Sequence, residues 1–397
     1  MRTPRTARSA ALVASATVLT TLLTAPLAGA DGLPVVTPAG ETAALYDDEA
    51  GGNSDADDPA IWRDPADPAR SLVVATAKEG GLRVYDLDAR QVQSLPAPRP
   101  PAEGAAPGRF NNVDLALGDP AAAPVFSADE AEIDDQRTAY GLATWKDRSS
   151  GRTYALVSRR ERTTVALLEL LPAANGTVGY RKVRTLDLPA SFRLPDGTAW
   201  SPCLEPGELP QVEGMVVDPA TGTLYAGQED VGIWRLRADL TGRPALVDRV
   251  REYGVPGTYD EATEECVPGA DPGYGGRRLS ADVEGLTLLQ ERDGDGHLIA
   301  SGQGDDTFAL YDRELSEGNE YEGGFRIGAA TDSLDGVEEC DGAAVLNAPL
   351  GDRYPRGLLV VQDGRETPAV EDGEGGTRTA TGFKFVDLGA VLDATGR

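Results

Sequence analysis

Carboxylates beside strand-forming runs are the residues of this sequence best suited to chemistry. Several are followed by glycine, which lets backbone carbonyls approach a ligand closely. If these side chains converge, like charges about 4 Å apart repel by several kcal/mol at an intermediate effective dielectric constant. We therefore expect either protonation or a bound cation. The residues are Asp57, Asp58, Glu213, Glu229, Asp230, Asp282, Glu284, the acids from Asp335 to Asp341, and Asp363.

The residue types favour calcium as that cation. Hard carboxylate oxygens dominate, and Ca²⁺ accepts roughly six to eight oxygen ligands in flexible geometry. Zinc and copper sites need imidazole or thiolate ligands, whereas this chain has one histidine and three scattered cysteines. The stretch RDGDGHL lacks the glutamate that would complete an EF-hand loop, so we predict a turn there.

No protein nucleophile is evident in the sequence. It contains no G-x-S-x-G elbow and no phosphate-binding G-x-x-x-x-G-K-S/T motif. A serine–histidine mechanism would have to use His297, which no motif supports. The sequence therefore favours a metal-activated water as the nucleophile. Lys78 and Arg160 lie among the acidic residues and indicate a multiply charged anion as the ligand.

The elements that must position these residues are strands. Short strand-forming runs bounded by Gly, Asp, Asn and Pro recur along the whole chain, and helical periodicity is scarce. Five segments repeat one plan of strand, polar turn and strand, which predicts an all-β fold, a β-propeller with a central channel. The register positions are Lys78, Arg160, Glu229, Gln303 and Asp363, at spacings of 82, 69, 74 and 60 residues.

The first of these spacings is anomalous. It contains a stretch rich in Ala, Pro and acidic residues between Asp114 and Tyr140, where a further strand pair is expected. The spacing therefore predicts a short or absent blade at this point.

Charge and composition restrict the partners. The formal net charge of -28 should repel nucleic acid and anionic membranes, so neither is expected to bind. A closed propeller buries its own edges, and we expect a monomer. Cys203 and Cys266 both lie in Pro- and Gly-rich insertions and are predicted to form a disulfide, which leaves Cys340 over.

The N-terminal residues resemble an export signal. Arg2, Arg5 and Arg8 precede an uncharged stretch that ends in Ala28-Gly29-Ala30, the pattern of a signal peptide over residues 1–30. We predict an N-terminal extension over 31–50, a propeller domain over 51–397, and a secreted, extracellular protein.

Long motifs in this chain resemble those of the β-propeller phytases, secreted calcium-dependent phosphatases that act on inositol hexakisphosphate. The resemblance begins with DADDPAIWRDPADPARSLVVATAKEGGLRVYDL and FNNVDL, and continues through most of residues 50–388. It implies six blades, with the second shortened here, and a channel filled with several calcium ions. The implied partner is phytate as its calcium complex, and the implied reaction is hydrolysis of its phosphate monoesters. Other motifs that carry the resemblance are AYGLATW, QVEGMVVD, LYAGQEDVGIWRL, ADVEGLTLL, ASGQGDDTFALYDR, DGVEECDG and LLVVQDG.

The resemblance also implies roles for individual residues. Lys78, Tyr140 and Arg160 match residues that contact phosphate, and they join Glu213 and Glu229 as the implied catalytic residues. Glu229 would hold or deprotonate the attacking water. The implied calcium ligands are Asp57, Asp58, Val113 through its carbonyl, Glu213, Glu229, Asp282, Glu284, Gln303, Asp335 and Asp363.

The sequence departs from the family pattern at two places. A strand pair that carries a phosphate-contacting arginine in relatives is missing between Asp114 and Phe126, and Gly382 stands where relatives have asparagine. These departures keep two alternatives open. One is a calcium-dependent propeller lactonase, which has no need of Lys78 and Arg160. The other is a non-catalytic propeller that binds calcium or phosphate compounds.

Overall fold

Turns rich in Gly and Asp separate runs of Val, Leu, Ile and Tyr, and these runs pair as antiparallel strands. In this computed structural model the described residues are 32–49, 54–99, 108–114, 119–120, 125–126, 138–172, 177–291, 294–315, 318–373 and 375–397. The predicted signal peptide lies outside them. Within these ranges, no helix has the length and apolar character needed to cross a membrane.

Five sheets of four or five strands form the blades of a β-propeller. The chain first forms three short N-terminal strands and then the first two blades. The N-terminal strands are β1 (Val35–Val36), β2 (Gly40–Glu41) and β3 (Leu45–Tyr46). Blade 1 contains β4 (Pro59–Trp62), β5 (Leu72–Thr76), β6 (Leu82–Tyr85) and β7 (Gln91–Leu95), with a 3-10 helix at Pro68–Arg70. Blade 2 contains β8 (Asp119–Pro120), β9 (Ala139–Lys146), β10 (Thr153–Arg159), β11 (Thr164–Pro172) and β12 (Thr177–Asp187).

Blades 3 and 4 follow, each preceded by a small hairpin. The first hairpin is β13 (Phe192–Arg193) and β14 (Ala199–Trp200). Blade 3 contains β15 (Val212–Asp218), β16 (Thr223–Gln228), β17 (Gly232–Arg237) and β18 (Ala245–Arg249). The second hairpin is β19 (Gly257–Asp260) and β20 (Glu265–Pro268). Blade 4 contains β21 (Val283–Gln290), β22 (Gly296–Gly302), β23 (Thr307–Asp312) and β24 (Tyr321–Ile327), with a 3-10 helix at Gln303–Asp305.

Blade 5 joins the two ends of the chain. Its own strands are β25 (Ala343–Leu346), β26 (Leu358–Asp363) and β29 (Ala380–Asp387), with a hairpin of β27 (Val370–Glu371) and β28 (Thr377–Arg378). The N-terminal β2 and β3 pair with β29, and β1 adds a parallel strand beside β24 of blade 4. Helix α1 (Leu388–Thr395) ends the fold, with Asp387 accepting a hydrogen bond from the Gly389 N–H at 3.0 Å.

The prediction of six blades is wrong, because the described residues form five. Between β7 and β9 the described residues contain one strand, β8, which pairs with β12 of blade 2. The stretch between Asp114 and Tyr140 is rich in Ala, Pro and acidic residues, which are depleted in strands, and most of it lies outside the described residues. The sequence between Asp114 and Phe126, where relatives have an additional strand pair, is described only in part.

The segment Phe110–Asp114 bridges blades 1 and 2. The Phe110 N–H donates to the Lys78 carbonyl at 3.2 Å, and the Val113 N–H donates to Asp58 Oδ2 at 3.0 Å, both in blade 1. On the other side, Asp114 Oδ2 accepts from the Thr144 N–H at 2.6 Å in blade 2. This irregular segment therefore connects the two blades where the sixth blade was expected.

The core consists of apolar side chains packed between neighbouring blades. One cluster joins blades 2, 3 and 4, a second joins blades 4 and 5, and a third joins blades 5 and 1. Among the described residues, no cluster joins blades 1 and 2. Cys203 and Cys266 form a disulfide that connects the loop after β14 to the β19–β20 hairpin, and Cys340 is a buried free thiol.

Candidate active site

The innermost strand of each blade brings one polar side chain to the channel. These five residues, here called the channel ring, are Asp57, Tyr140, Glu213, Glu284 and Asp341. Tyr140, Glu213 and Glu284 lie in β9, β15 and β21, whereas Asp57 and Asp341 lie just before β4 and β25. Consecutive members lie 83, 73, 71 and 57 residues apart along the chain, and the propeller fold brings them together.

Glycines that follow the ring residues are needed where neighbouring blades approach. A Cβ on Gly214 would lie 1.6 Å from the Glu284 carbonyl oxygen, and one on Gly141 would lie 2.0 Å from the Glu213 carbonyl oxygen. No side chain fits there, so the acid–glycine pairs place one blade's ring residue against the next. The expectation that these glycines admit a ligand is therefore replaced by a contact between blades.

Three buried glutamates form the centre of the site. One carboxylate oxygen each from Glu213, Glu229 and Glu284 lies within 4.8 Å of the other two. Glu213 and Glu284 belong to the channel ring, and Glu229 follows β16. This group is called the glutamate cluster below.

A neutral donor holds each of these carboxylates. The Tyr140 hydroxyl donates to Glu213 Oε2 at 2.8 Å, and Gln211 Nε2 donates to Glu229 Oε2 at 3.0 Å. Gln303 Nε2 donates to Glu284 Oε2 at 2.8 Å and also reaches Asp341 Oδ1 at 2.8 Å. These contacts orient the carboxylates without neutralising their charge.

Lys78 provides positive charge at one side of the ring. Its Nζ lies 3.9 Å from Asp57 Oδ2 and 3.6 Å from Asp341 Oδ2. Burial disfavours the ammonium, but attraction to these two carboxylates outweighs burial and raises the pKa of Lys78. Arg109 lies close enough for its charge to oppose that of Lys78, and its Nε donates to Asn111 Oδ1 at 2.9 Å.

The carboxylates greatly outnumber the nearby positive charges. Burial, followed by repulsion from neighbouring acids, raises the pKa of Asp57, Glu229 and Glu284 well above its usual value. Burial likewise raises the pKa of Glu213 to about 7 and that of Asp282 to about 6. The protein therefore holds these groups in an unfavourable environment for negative charge.

Several buried carboxylate oxygens around the channel have no hydrogen-bond donor. Both carboxylate oxygens of Asp57 and Oε1 of Glu229 are buried without a hydrogen-bond partner. A buried acceptor without a donor costs about 1–3 kcal/mol. Closely spaced hard oxygens of this kind fit a divalent cation such as calcium.

A second acidic group surrounds Lys384, and we call it the Lys384 cluster. The fully buried ammonium lies 2.6 Å from Glu41 Oε2, 2.9 Å from Glu366 Oε2 and 3.1 Å from Asp363 Oδ2, and it also contacts Asp335 Oδ1. A Cβ on Gly382 would lie 1.9 Å from Glu366 Oε1. Glu366 therefore takes the space that a side chain at position 382 would need.

The residues singled out from the sequence fall into three groups. Seven of them lie in or beside the channel ring: Asp57, Lys78, Tyr140, Glu213, Glu229, Glu284 and Gln303. Four others lie on segments next to ring residues. Asp58 follows Asp57 and accepts from the Val113 N–H, and Asp282 precedes β21. The Arg160 backbone N–H donates to the Thr138 carbonyl at 3.1 Å, two residues before Tyr140. Asp335 and Asp363 do not join the ring, because both contact Lys384.

Sequence reasoning left Gln211 and Arg109 out of the expected site, and it included Asp341 only within the acidic stretch from Asp335 to Asp341, without a ligand role. Asp341 could have been found, because Asp341-Gly342 repeats the acid–glycine pattern of Glu213-Gly214 and Glu284-Gly285. Gln211 carries no comparable signal, and its role is visible only from its contacts. Arg109 precedes the FNN motif, but its proximity to Lys78 depends on the pairing of Phe110 with Lys78.

Comparisons with known proteins identify the family of this chain. A family model described as Phytase matches residues 5–126 and 208–397, and the unmatched residues between these ranges include Tyr140 and Arg160. The chain is similar to the 3-phytase of Bacillus subtilis (strain 168), with 29% identity over 383 residues, covering 88% of this chain and 84% of that protein.

Two solved structures are similar at a low level. "Structure of U3-55K" matches at 12% identity over 83% of this chain and 79% of that one, with a TM-score of 0.32. "Crystal structure of RRP9 WD40 repeats" matches at 12% identity over 89% of this chain and 99% of that one, with a TM-score of 0.33. These scores support no inference. The family match, which extends over most of the sequence, shows that this chain belongs to the phytase family.

Proposed function

We propose that this chain hydrolyses phosphate monoesters of phytate, with calcium as its cofactor. The observation that carries the proposal is the glutamate cluster beside Lys78, in a member of the phytase family. Carboxylates that lie within 4.8 Å of one another, with unpartnered buried oxygens, support a cation site at the channel.

Electrostatics make the cation necessary for binding as well as for chemistry. A chain with a formal net charge of -28 repels a polyphosphorylated substrate at long range. Calcium, when bound, would supply positive charge that attracts the substrate and polarises a water molecule. We propose Asp57, Asp58, the Val113 carbonyl, Glu213, Glu229, Asp282, Glu284 and Gln303 as ligands around the channel. Asp335 and Asp363 are proposed for a separate position beside Lys384.

The chain's own residues would act on phosphate as follows. Lys78, Arg160 and Tyr140 contact phosphate oxygens and hold the phosphorus in line with the attacking water. Glu229 Oε1, which has no hydrogen-bond partner, accepts a proton from that water. The water oxygen forms a bond to phosphorus as the bond to the inositol oxygen breaks, and solvent protonates the leaving oxygen.

Export, domain boundaries and oligomeric state are also proposed here. We propose that residues 1–30 direct export, that residues 31–50 are an N-terminal extension whose short strands pair with the propeller domain over 51–397, and that the mature protein acts as an extracellular monomer on calcium phytate.

The direct test is phosphate release from phytate, measured with excess calcium and with a chelator. We expect release with calcium and at least a hundredfold less with the chelator. The variant Glu229→Gln, which removes the proposed proton acceptor, should lose phosphate release. Glu371→Gln, at an exposed position in β27, is its matched control and should behave as the wild type. Folded protein that releases no phosphate in calcium would contradict the proposal.

A second assay separates the lactonase alternative. Lys78→Ala combined with Arg160→Ala should abolish phosphate release, because both residues are proposed to hold phosphate. Hydrolysis of a lactone by the wild type that survives in this double variant would favour a lactonase instead.

A further inference from the structure

Gln211 connects two parts of the site through one side chain. It lies immediately before β15, and its Oε1 accepts a hydrogen bond from the Glu161 N–H at 2.7 Å. Its Nε2 donates to Glu229 Oε2 at 3.0 Å. Glu161 belongs to the turn between β10 and β11 in blade 2, and Glu229 belongs to blade 3, so this amide bridges neighbouring blades.

The contact with Glu161 stabilises an unfavourable turn. Glu161 has φ of 54°, in the left-handed region that residues with a side chain rarely adopt. The turn also contains Arg160 and is closed by the Arg162 N–H, which donates to the Arg159 carbonyl at 3.2 Å. The Glu161 carbonyl accepts from the Leu209 N–H at 3.2 Å. Residues 209–211 therefore hold both polar groups of the Glu161 backbone.

The contact with Glu229 selects one of its two carboxylate oxygens. Oε2 accepts from Gln211, whereas Oε1 is buried without a partner. Tyr140 and Gln303 play the equivalent part for Glu213 and Glu284. Without its amide donor, Glu229 is the one carboxylate of the glutamate cluster with no neutral donor to fix its orientation.

We propose that Gln211 is a positioning residue. It orients Glu229 directly and fixes the turn that carries Arg160 through Glu161. It makes no contact with substrate. The inference rests on the proposed function, because it assigns these two residues to proton transfer and phosphate binding.

Two substitutions separate the two contacts. Gln211→Glu keeps the side-chain length and the acceptor for the Glu161 N–H, but it replaces the donor to Glu229 with a carboxyl group that adds a like charge beside Glu229. Gln211→Met has a similar length and removes both. We expect Gln211→Glu to lower kcat about 10- to 100-fold with KM within threefold of the wild type. Gln211→Met should lower kcat similarly and also raise KM several-fold.

Gln93→Glu, on the exposed outer strand of blade 1, is the matched control and should change neither parameter. Equal changes in KM for Gln211→Glu and Gln211→Met, or a kcat within twofold of the wild type in both, would overturn the proposal. Loss of kcat explained by a smaller folded fraction, measured by circular dichroism, would also overturn it.

Limited proteolysis provides a readout that needs no activity. Trypsin cleaves after Arg159, the last residue of β10, and after Arg160 and Arg162 in the turn that Gln211 holds. In chelator, Gln211→Met should be cut there at least fivefold faster than the wild type, and Gln211→Glu at the wild-type rate. Equal rates for all three proteins would contradict the contact with Glu161. If the wild type released no phosphate, the proposed function would be rejected. The proteolysis result would still test the contact between Gln211 and Glu161.

Discussion

Two groups of buried carboxylates in this propeller differ in what offsets the repulsion between their negative charges. In the Lys384 cluster, four acids surround one ammonium that has no exposed surface. In the glutamate cluster, three acids face one another and are held by neutral donors. Asp335 and Asp341 are six residues apart, yet the first contacts Lys384 and the second belongs to the channel ring.

The pKa directions differ within the Lys384 cluster as well as between the two groups, because burial outweighs the contact with Lys384 at two of its acids: it raises the pKa of Asp363, and it raises that of Glu366 to about 7. Burial tends to raise the pKa of Asp335, but hydrogen bonds from Lys384 and Thr367 outweigh burial and lower it. Burial and repulsion raise the pKa of Glu229 and Glu284 well above its usual value. Lys384 is therefore an internal cation that offsets part of the negative charge of its cluster in blade 5. The charge of the glutamate cluster in the channel requires an external cation. The comparison makes four predictions.

Removing the internal cation should have the largest effect. Lys384→Met leaves four carboxylates around an apolar side chain, and breaking a buried ion pair from one side costs about 3–5 kcal/mol. We expect this loss in the free energy of urea unfolding, measured in chelator.

Lys146→Met, at an exposed position in β9, is the control. If Lys384→Met does not fold, the double variant Lys384→Met/Asp335→Asn should recover part of the stability, because it removes one stranded charge. A cost below about 1 kcal/mol for Lys384→Met would show that the ammonium does not stabilise this cluster.

Neutralising a channel carboxylate should have opposite effects on activity and stability. Glu229→Gln removes the proposed proton acceptor, and we expect kcat for phosphate release to fall about 10²- to 10⁴-fold. The same substitution removes like-charge repulsion, so the melting temperature in chelator should rise. Reduced activity together with reduced stability in chelator would contradict the comparison.

In chelator, the free energy of unfolding should rise as the pH falls below neutral, which is the opposite of the behaviour of most proteins. For acids whose folded-state pKa is raised, the folded state binds more protons than the unfolded state between the two pKa values. Its free energy of unfolding therefore falls as the pH rises. Because burial raises the pKa of Glu213 and Asp230 to about 7, unfolding in chelator should become harder as the pH falls from 8 to 5.5.

The expected slope is about 1.4 kcal/mol per pH unit for each proton taken up. Calcium should reduce it, because the ion competes with protons for the same carboxylates. Thermal melts at several pH values measure the slope, and a flat profile in chelator would argue against strained channel carboxylates.

The smallest predicted effect concerns the cationic side of the channel. Arg109 lies beside Lys78, and its Nη groups have no hydrogen-bond or ion-pair partner among the described residues. Arg109→Ala should raise KM for phytate about fivefold and leave kcat within twofold, a loss of about 1 kcal/mol in substrate binding. Arg243→Ala, at an exposed loop between β17 and β18, is the control. An unchanged KM would exclude Arg109 from substrate binding.

Local patterns were enough to predict the propeller and most of the channel. Strand pairs of regular spacing indicated the blades, and the described residues contain no further blade within the long first spacing. The blade number was wrong because it came from the family resemblance, whereas the spacing itself counted five pairs.

The different positions of Asp335 and Asp341 have another cause. Asp335 and Asp341 occupy one short acidic stretch, and the sequence does not reveal which of them reaches the channel. That depends on the buried Lys384 in β29, which lies far along the chain and attracts Asp335. Gln211 was missed for a related reason: its two partners lie 50 and 18 residues away and meet only across a blade interface.

Calcium binding to a channel-neutralised variant tests the central claim most directly. The triple variant Glu213→Gln/Glu229→Gln/Glu284→Gln keeps the side-chain shapes and removes the glutamate cluster's charge. In calorimetric titrations at neutral pH, the wild type should bind calcium with at least one more site than the triple variant, and the triple variant should remain folded in chelator. Equal calcium stoichiometry and affinity in the two proteins would contradict the account.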